Sequence, residues 1–313
     1  MNQNKIIIDF LKNLDGTIKE NESLAPKTTF KIGSTADIFF LPHNIESLTK
    51  AISFLYKNNF DYFLLGGGSN IVFPDHPLKK VVLSTEKLKE IKSEQSDDTE
   101  TIFVTCQCGT TIASFINFTK TNYISGAEQF AGLPGTIGGA CFMNARCFDK
   151  QISDILFSVS YFDIIEDQIK TTDINLSEWD YKKTPFQDNK KIILSATFKL
   201  IKKSQNEKEL INEKCAFYIS QRVDKGHFKY PSAGSVFKNN RDFGMPSGQI
   251  IDQAGLKGFS IGGASVAPFH GNFIININNA TQNDIKNLVD HIKKIVYEKF
   301  YFSLECEIIF VDN

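Results

Sequence analysis

A chain of 313 residues is long enough for two or three domains, and its 42% apolar and 23% charged residues are an ordinary globular balance rather than a disordered one. The formal net charge of −1 supplies no bulk field toward nucleic acid or an anionic membrane, so an anionic ligand has to be held by local groups. No apolar run approaches the ~18 residues of a membrane span. Residues 1–14 mix Asn, Lys and Asp with isoleucine, as an amphipathic opening helix does and a signal peptide does not. Six cysteines, at 106, 108, 141, 147, 215 and 306, form no CxxC pair, and no histidine stands at a zinc spacing. The expectation is a soluble cytoplasmic protein with scattered buried thiols and no metal.

In chain order, residues 36–41 are a β-rich run ending at Pro42. Asn44 is placed to cap a helix whose Ile45, Leu48, Ile52, Leu55 and Tyr56 recur at helical spacing. Tyr62–Leu65 is a short apolar run that empties into glycines, giving a small βαβ unit with a loop at the carboxyl end of its second strand. Residues 81–83 and 102–106 read as strands, with polar residues 93–100 between them as a solvated loop. A helix is expected over residues 112–118, and short runs from 157 to 200 suggest antiparallel strands. This mixture predicts an α+β fold rather than a doubly wound sheet.

A charged connector, residues 202–209, separates the first 200 residues from the rest. After it Leu210, Ile211, Cys215, Tyr218, Ile219 and Arg222 fall on one helical face. Thr281 and Asp284 resemble a capping box that introduces Ile285, Leu288, Val289, Ile292, Ile295 and Val296. Residues 303–311 are expected to close the chain as a strand, with Glu305, Glu307, Ile309 and Val311 on one face.

Two glycine-rich loops stand out: Gly66-Gly67-Gly68-Ser69-Asn70, and Gly132-Leu133-Pro134-Gly135-Thr136-Ile137-Gly138-Gly139-Ala140. Either is explained by a structural turn. Glycine also brings backbone N–H groups within reach of a ligand oxygen, and a nest of them or a helix start stabilises a pyrophosphate without a lysine. No Gly-Lys-Ser/Thr follows, as a P-loop requires, and no acidic residue stands at the Rossmann spacing. Two such loops favour a dinucleotide with a long phosphate bridge. Asn144 and Arg146 follow the second loop as polar contacts or as turn caps.

At this point the chain resembles a known family. Thr28-Thr29-Phe30-Lys31-Ile32-Gly33, the two glycine loops, Pro231-Ser232-Ala233-Gly234-Ser235-Val236-Phe237-Lys238-Asn239 and Ser247-Gly248-Gln249-Ile250-Ile251-Asp252 occur in the order found in UDP-N-acetylenolpyruvoylglucosamine reductases (MurB). Gly255-Leu256-Lys257-Gly258, Ile261-Gly262-Gly263-Ala264, His270-Gly271-Asn272-Phe273-Ile274 and Glu305-Cys306-Glu307 continue the match to the end of the chain. The resemblance implies an FAD-binding fold of the vanillyl-alcohol-oxidase type, with FAD held non-covalently. It divides the chain into FAD-binding subdomains over 1–80 and 81–203 and a substrate-binding domain over 204–313. It further implies that NADPH reduces the flavin and that the enolpyruvyl ether of UDP-N-acetylglucosamine is then reduced, giving UDP-N-acetylmuramate for peptidoglycan synthesis.

By the same resemblance Gly66, Gly67, Gly68, Ser69, Asn70, Gly132, Gly135, Thr136, Gly138, Gly139 and Asn144 contact the cofactor. Ser235 matches the family's proton donor, Glu307 its active-site glutamate, and Tyr181, Lys225 and Asn239 its substrate contacts. Hydride addition to an enolpyruvyl group leaves enolate-like charge, which needs stabilisation and a proton. The family's Tyr-Arg-x-Ser motif is here Tyr181-Lys182-Lys183-Thr184, so Lys182 replaces the arginine as a point charge without its planar fork. Lys183 and Arg146 remain alternative sources of that charge. Only 52 residues separate Lys182 from Ser235, which matches the shorter family variety without a tyrosine-bearing loop. A monomer is expected. The rivals are a flavin oxidoreductase of the same fold with another substrate, and a nucleotide-sugar-binding module without redox activity.

Overall fold

The computed structural model describes residues 3–98 and 100–313. The chain divides into two compact units. The larger holds the chain up to Lys19, Ile38–Gly67 and Val81–Ser220; the smaller holds Glu20–Asp37, Gly68–Lys80 and Gln221–Asn313. The division falls inside the strands Gly16–Ser23 and Thr35–Pro42.

In the larger unit helix α1 (Gln3–Leu11) buries Ile7 and Leu11, as its amphipathic sequence requires. Helix α2 (Ile45–Lys57) starts where Asn44 accepts a hydrogen bond from the Ser47 amide at 2.8 Å, and it buries Leu48, Ala51, Ile52 and Leu55. One sheet has the order Gly16–Ser23, Thr35–Pro42, Val81–Ser84, Tyr62–Leu65. The last two pair in parallel, so Val81–Ser84 lies between the two strands expected to form a simple βαβ unit. The second sheet is antiparallel, in the order Gln168–Asp173, Leu156–Asp163, Lys191–Lys202, Thr101–Gln107, Ile91–Gln95. It carries helix α3 (Ile112–Thr121), capped by Thr111, and helix α4 (Ile137–Phe142). The core of this unit gathers Phe115, Phe130, Ile137 and Phe198, and Trp179 packs into it.

Two expectations about this part of the chain are corrected. Ser93, Glu94 and Gln95 are not loop but edge strand, paired with Val104, Phe103 and Ile102. Their side chains are exposed, so nothing in the sequence separates them from a solvated turn. Helix α5 (Lys208–Asp224) buries Ile211 and Cys215, but Leu210 and Ile219 are exposed, so its inward face is narrower than the apolar pattern.

The smaller unit is built on an antiparallel sheet, Ser232–Ser235, Phe273–Asn276, Ala264–Val266, Ser260–Ile261. Helix α6 (Ser247–Gln253) and helix α7 (Gln282–Phe300) accompany it. The capping box is present: Thr281 accepts from the Asp284 amide and Asp284 from the Thr281 amide, each at 3.0 Å. Those backbone bonds hold the Asp284 carboxyl below its usual range. The α7 face that buries Ile285, Leu288, Val289, Ile292 and Val296 follows the helical period. The closing strand is shorter than expected. The named strand is Ile309–Phe310, in parallel with Ile71–Val72, and Cys306 before it makes an isolated bridge to Phe237. The buried positions before and after it are Leu304, Ile308 and Val311, a spacing of four and three that a period of two does not fit.

Candidate functional site

In the larger unit the two glycine loops meet. A Cβ on Gly67 would lie 2.6 Å from Gly135 Cα, and one on Gly66 would lie 2.8 Å from Thr136 Oγ1. No side chain fits at that approach. The second loop is stitched to the start of α3, because Ile112 N–H donates to Gly135 O at 3.1 Å and Ile137 N–H to Thr110 O at 2.8 Å. Gly138 N–H donates to Cys108 O at 2.9 Å. Those α4 amides are therefore used inside the protein, and the helix start is not an open row of donors. Thr136 caps α4, Gly132 and Gly135 take positive φ (77° and 103°), and Gly139 faces outward.

Beyond α4 lies the turn that carries Tyr181 and Lys182. Asp180 and Lys183 close it with two backbone bonds of 3.1 and 3.0 Å, and Lys182 sits in the left-handed region at φ 58°. The Lys182 ammonium lies 5.9 Å from the Tyr181 ring centroid. Lys182 is half-buried and Lys183 exposed. Arg146, the other candidate cation, is exposed and ion-paired with Asp149 at 3.2 Å. Asn144 is fully buried, and its carboxamide donates to Asp180 O at 2.9 Å and accepts from Ser153 N at 3.2 Å. Two residues the sequence did not single out for this anchorage secure the turn further. Gln187 Nε2 donates to Lys182 O at 3.0 Å and to Phe142 O at 2.9 Å, and Thr184 Oγ1 donates to Phe142 O at 3.1 Å. Gln187 carries no sequence signal, since an amide five residues past a lysine is ordinary loop composition.

In the smaller unit Gly68 continues the first loop at φ 60°, and a Cβ there would lie 2.1 Å from Lys27 O. Asn70, two residues on, donates from Nδ2 to Glu307 O at 3.0 Å and accepts from Ile309 N–H at 2.9 Å through its own carbonyl. The Ser235 and Glu307 segments are adjacent. Glu307 N–H donates to Val236 O at 2.7 Å, Lys238 N–H donates to Glu305 O at 2.9 Å, and Phe237 bridges Cys306. Glu305 pairs with Lys238 at the surface and is exposed, whereas Glu307 is half-buried. Of the two carboxylates expected on one face, Glu307 is the one drawn in.

Asn239 accepts from Ser247 N–H at 2.9 Å at the start of α6. Lys225 is exposed near the end of α5. Close by, the His227 and His270 rings both pack on Phe273, with centroids 4.7 and 4.5 Å away. Burial, with Arg222, His270 and Lys225 adding positive charge, pushes the His227 imidazole down to about 4. Of the thiols expected to be buried, Cys106, Cys108, Cys141 and Cys215 are, whereas Cys147 and Cys306 are half-buried. None of the six forms a disulfide, and burial pushes Cys106 and Cys108 up to about 12 and Cys215 up to about 11. No group of three or more potential metal ligands occurs among the described residues. No helix among them is long and apolar enough to cross a membrane.

A close backbone approach of Gly67 to Gly135, with the Thr136 hydroxyl beside Gly66, is the kind of glycine-lined contact that a dinucleotide's phosphate bridge needs. Comparison with known proteins agrees. Residues 36–165 match an FAD binding domain, and residues 226–311 match the C-terminal domain of UDP-N-acetylenolpyruvoylglucosamine reductase. The chain is 44% identical to the UDP-N-acetylenolpyruvoylglucosamine reductase of Treponema denticola, with 96% of this chain and 95% of that one covered. It is 39% identical to the protein of that name from Borreliella burgdorferi, with 98% of each covered. The crystal structure of the Thermus caldophilus enzyme superposes with a TM-score of 0.74 at 26% identity, covering 95% of this chain and 99% of that one. The chain belongs to the UDP-N-acetylenolpyruvoylglucosamine reductase family.

Proposed function

We propose that this chain is an FAD-dependent oxidoreductase that reduces UDP-N-acetylglucosamine enolpyruvate to UDP-N-acetylmuramate in peptidoglycan precursor synthesis, with Ser235, Glu307 and Lys182 in the chemical step. Family membership over nearly the whole chain supports the activity. FAD, bound non-covalently, supplies the hydride that NADPH provides. The glycines of the two loops, with Ser69, Asn70, Thr136 and Asn144, hold the cofactor, Asn144 from a buried position bonded to Asp180 and Ser153. The division into 1–80, 81–203 and 204–313 belongs to the same reading.

The protein's own groups have two tasks. Ser235 donates the proton to the carbon that becomes carbanionic. A neutral hydroxyl is a weak acid, but an enolate is a strong base, so the transfer is feasible from a hydroxyl held within hydrogen-bond reach. Glu307 donates a hydrogen bond from its carboxyl O–H to the negative charge that develops beside that carbon, and Lys182 offers an ammonium to the substrate carboxylate. Tyr181, Lys225 and Asn239 contact the sugar nucleotide. The observation that carries the assignment is the 2.7 Å bond from Glu307 N–H to Val236 O, which sets Glu307 across from the residue that follows Ser235. A cytoplasmic monomer completes the proposal.

The test is an assay of purified protein. A flavin spectrum and NADPH oxidation that depends on the enolpyruvyl sugar nucleotide are expected. Colourless protein that FAD does not reconstitute would favour a binding module, and NADPH oxidation indifferent to the sugar nucleotide would favour an oxidoreductase with another substrate.

A further inference from the structure

We propose that Asn272 is a positioning residue for Ser235, acting through the backbone of Phe237; the inference rests on Ser235 as proton donor. The strand that ends at Ser235 is irregular. Between the pairs Ser232 with Ile275 and Ser235 with Phe273, one strand advances three residues and the other two. The extra residue is a β-bulge, and Gly234 within it takes φ 75° with open space where a side chain would stand. A bulge re-aims the side chains beside it. Past Ser235 the chain changes partners, because Phe237 and Lys238 pair with Cys306 and Glu305. Ser235 thus lies between a bulge on one side and a change of partner on the other.

Asn272 spans that gap. Its carbonyl accepts from Val236 N–H at 2.9 Å. Its side chain then does what the next peptide of a strand would do, with Oδ1 accepting from Phe237 N–H at 2.9 Å and Nδ2 donating to Phe237 O at 2.8 Å. Asn272 is 4% exposed, so water does not compete for these bonds. Its own N–H donates to His270 Nδ1 at 3.2 Å, which fixes the turn before the strand. Phe237 bridges Cys306, and Val236 accepts from Glu307, so the same clamp supports the segments of both Ser235 and Glu307. Nothing in an Asn-Phe-Ile run predicts a side chain that completes a ladder.

The experiment uses the FAD-loaded enzyme and separates its two half-reactions by stopped flow. Flavin reduction by NADPH does not need the proton donor, and flavin reoxidation by the enolpyruvyl sugar nucleotide does. Asn272→Ala is expected to keep its flavin and its reduction rate within about twofold while reoxidation slows by about tenfold to a hundredfold, the scale of a misplaced reacting group. Adding it to Ser235→Ala is expected to slow reoxidation by no more than about twofold further, because the two act as a unit. Equal slowing of both half-reactions, or full additivity in the double variant, would overturn the proposal. Should Asn272→Ala not fold, Asn272→Asp, which replaces the Nδ2 donor at nearly unchanged volume, is read by the same criteria. The two ideas fail separately: unimpaired reoxidation in Ser235→Ala removes the proton donor, whereas impaired Ser235→Ala beside normal Asn272→Ala removes only the clamp.

Discussion

The glycine region of the larger unit and the Ser235–Glu307 region of the smaller one solve opposite problems. In the proposed reading the first recognises its ligand largely through the main chain, and the approach of Gly67 to Gly135 excludes a side chain at that contact. In the second, the proposed chemistry falls to side chains, and the main chain holds their segments through the bonds of Val236, Phe237 and Lys238. A phosphate bridge needs many fixed donors at short range, which backbone amides supply at no rotamer cost. A proton needs one hydroxyl in one place. Substitutions in the two regions should therefore fail differently.

The largest expected effect lies in the second region. Ser235→Ala should lower turnover by about a hundredfold to ten-thousandfold, the range of general acid catalysis, and keep its flavin. Steady-state NADPH oxidation alongside the visible spectrum measures both, and full activity would remove the proton-donor role. The first region should respond in the reverse order. Gly67→Ala forces a methyl group against backbone that cannot rotate away, at a cost of about 1–3 kcal/mol. Lost flavin and a lowered Tm are expected, and a variant with full flavin and unchanged Tm would break the contrast.

Lys182→Ala against Lys183→Ala tests the cation. Losing a charge-assisted hydrogen bond of about 1.5–3 kcal/mol lowers kcat/KM by roughly tenfold to a hundredfold in the first, while the exposed Lys183 should matter by about twofold at most. Equal effects would leave Lys182 without a special role.

The remaining effect is on the pH dependence of stability. An unfolded imidazole titrates near its ordinary value, about 6.5, and His227 in the fold is pushed down to about 4. Between these values the unfolded chain binds more protons, so stability falls as pH drops through that window and levels off below it. His227→Gln should flatten Tm against pH there, and an unchanged slope would show that this imidazole does not contribute.

Local chemistry was legible wherever it is local. Asn44, Thr281 and Asp284 cap the helices they were expected to cap, and Tyr62–Leu65 runs into its glycine loop as its apolar run implies. Side-chain exposure was less legible. The strand Ile91–Gln95 carries a polar sequence because it is an edge, and residues 303–311 alternate in sequence without alternating in burial. The candidate site divides in the same way. Its glycines, Ser235 and Glu307 are visible as motif residues, but Gln187 as the anchor of Lys182 and Asn272 as the partner of Phe237 are not.

By itself, then, the sequence determined the caps, the helical face of α7, that of α2 apart from the exposed Tyr56, the two glycine loops and the family. Those follow from residue type and spacing within a few turns of chain. Only the tertiary structure decided that Gly67 meets Gly135, that Val81–Ser84 enters between two earlier strands, and that Glu307 rather than Glu305 is drawn beside Val236. Each of these joins segments tens of residues apart or more, and which backbone groups pair over such distances is set by the whole packed core, not by any local pattern.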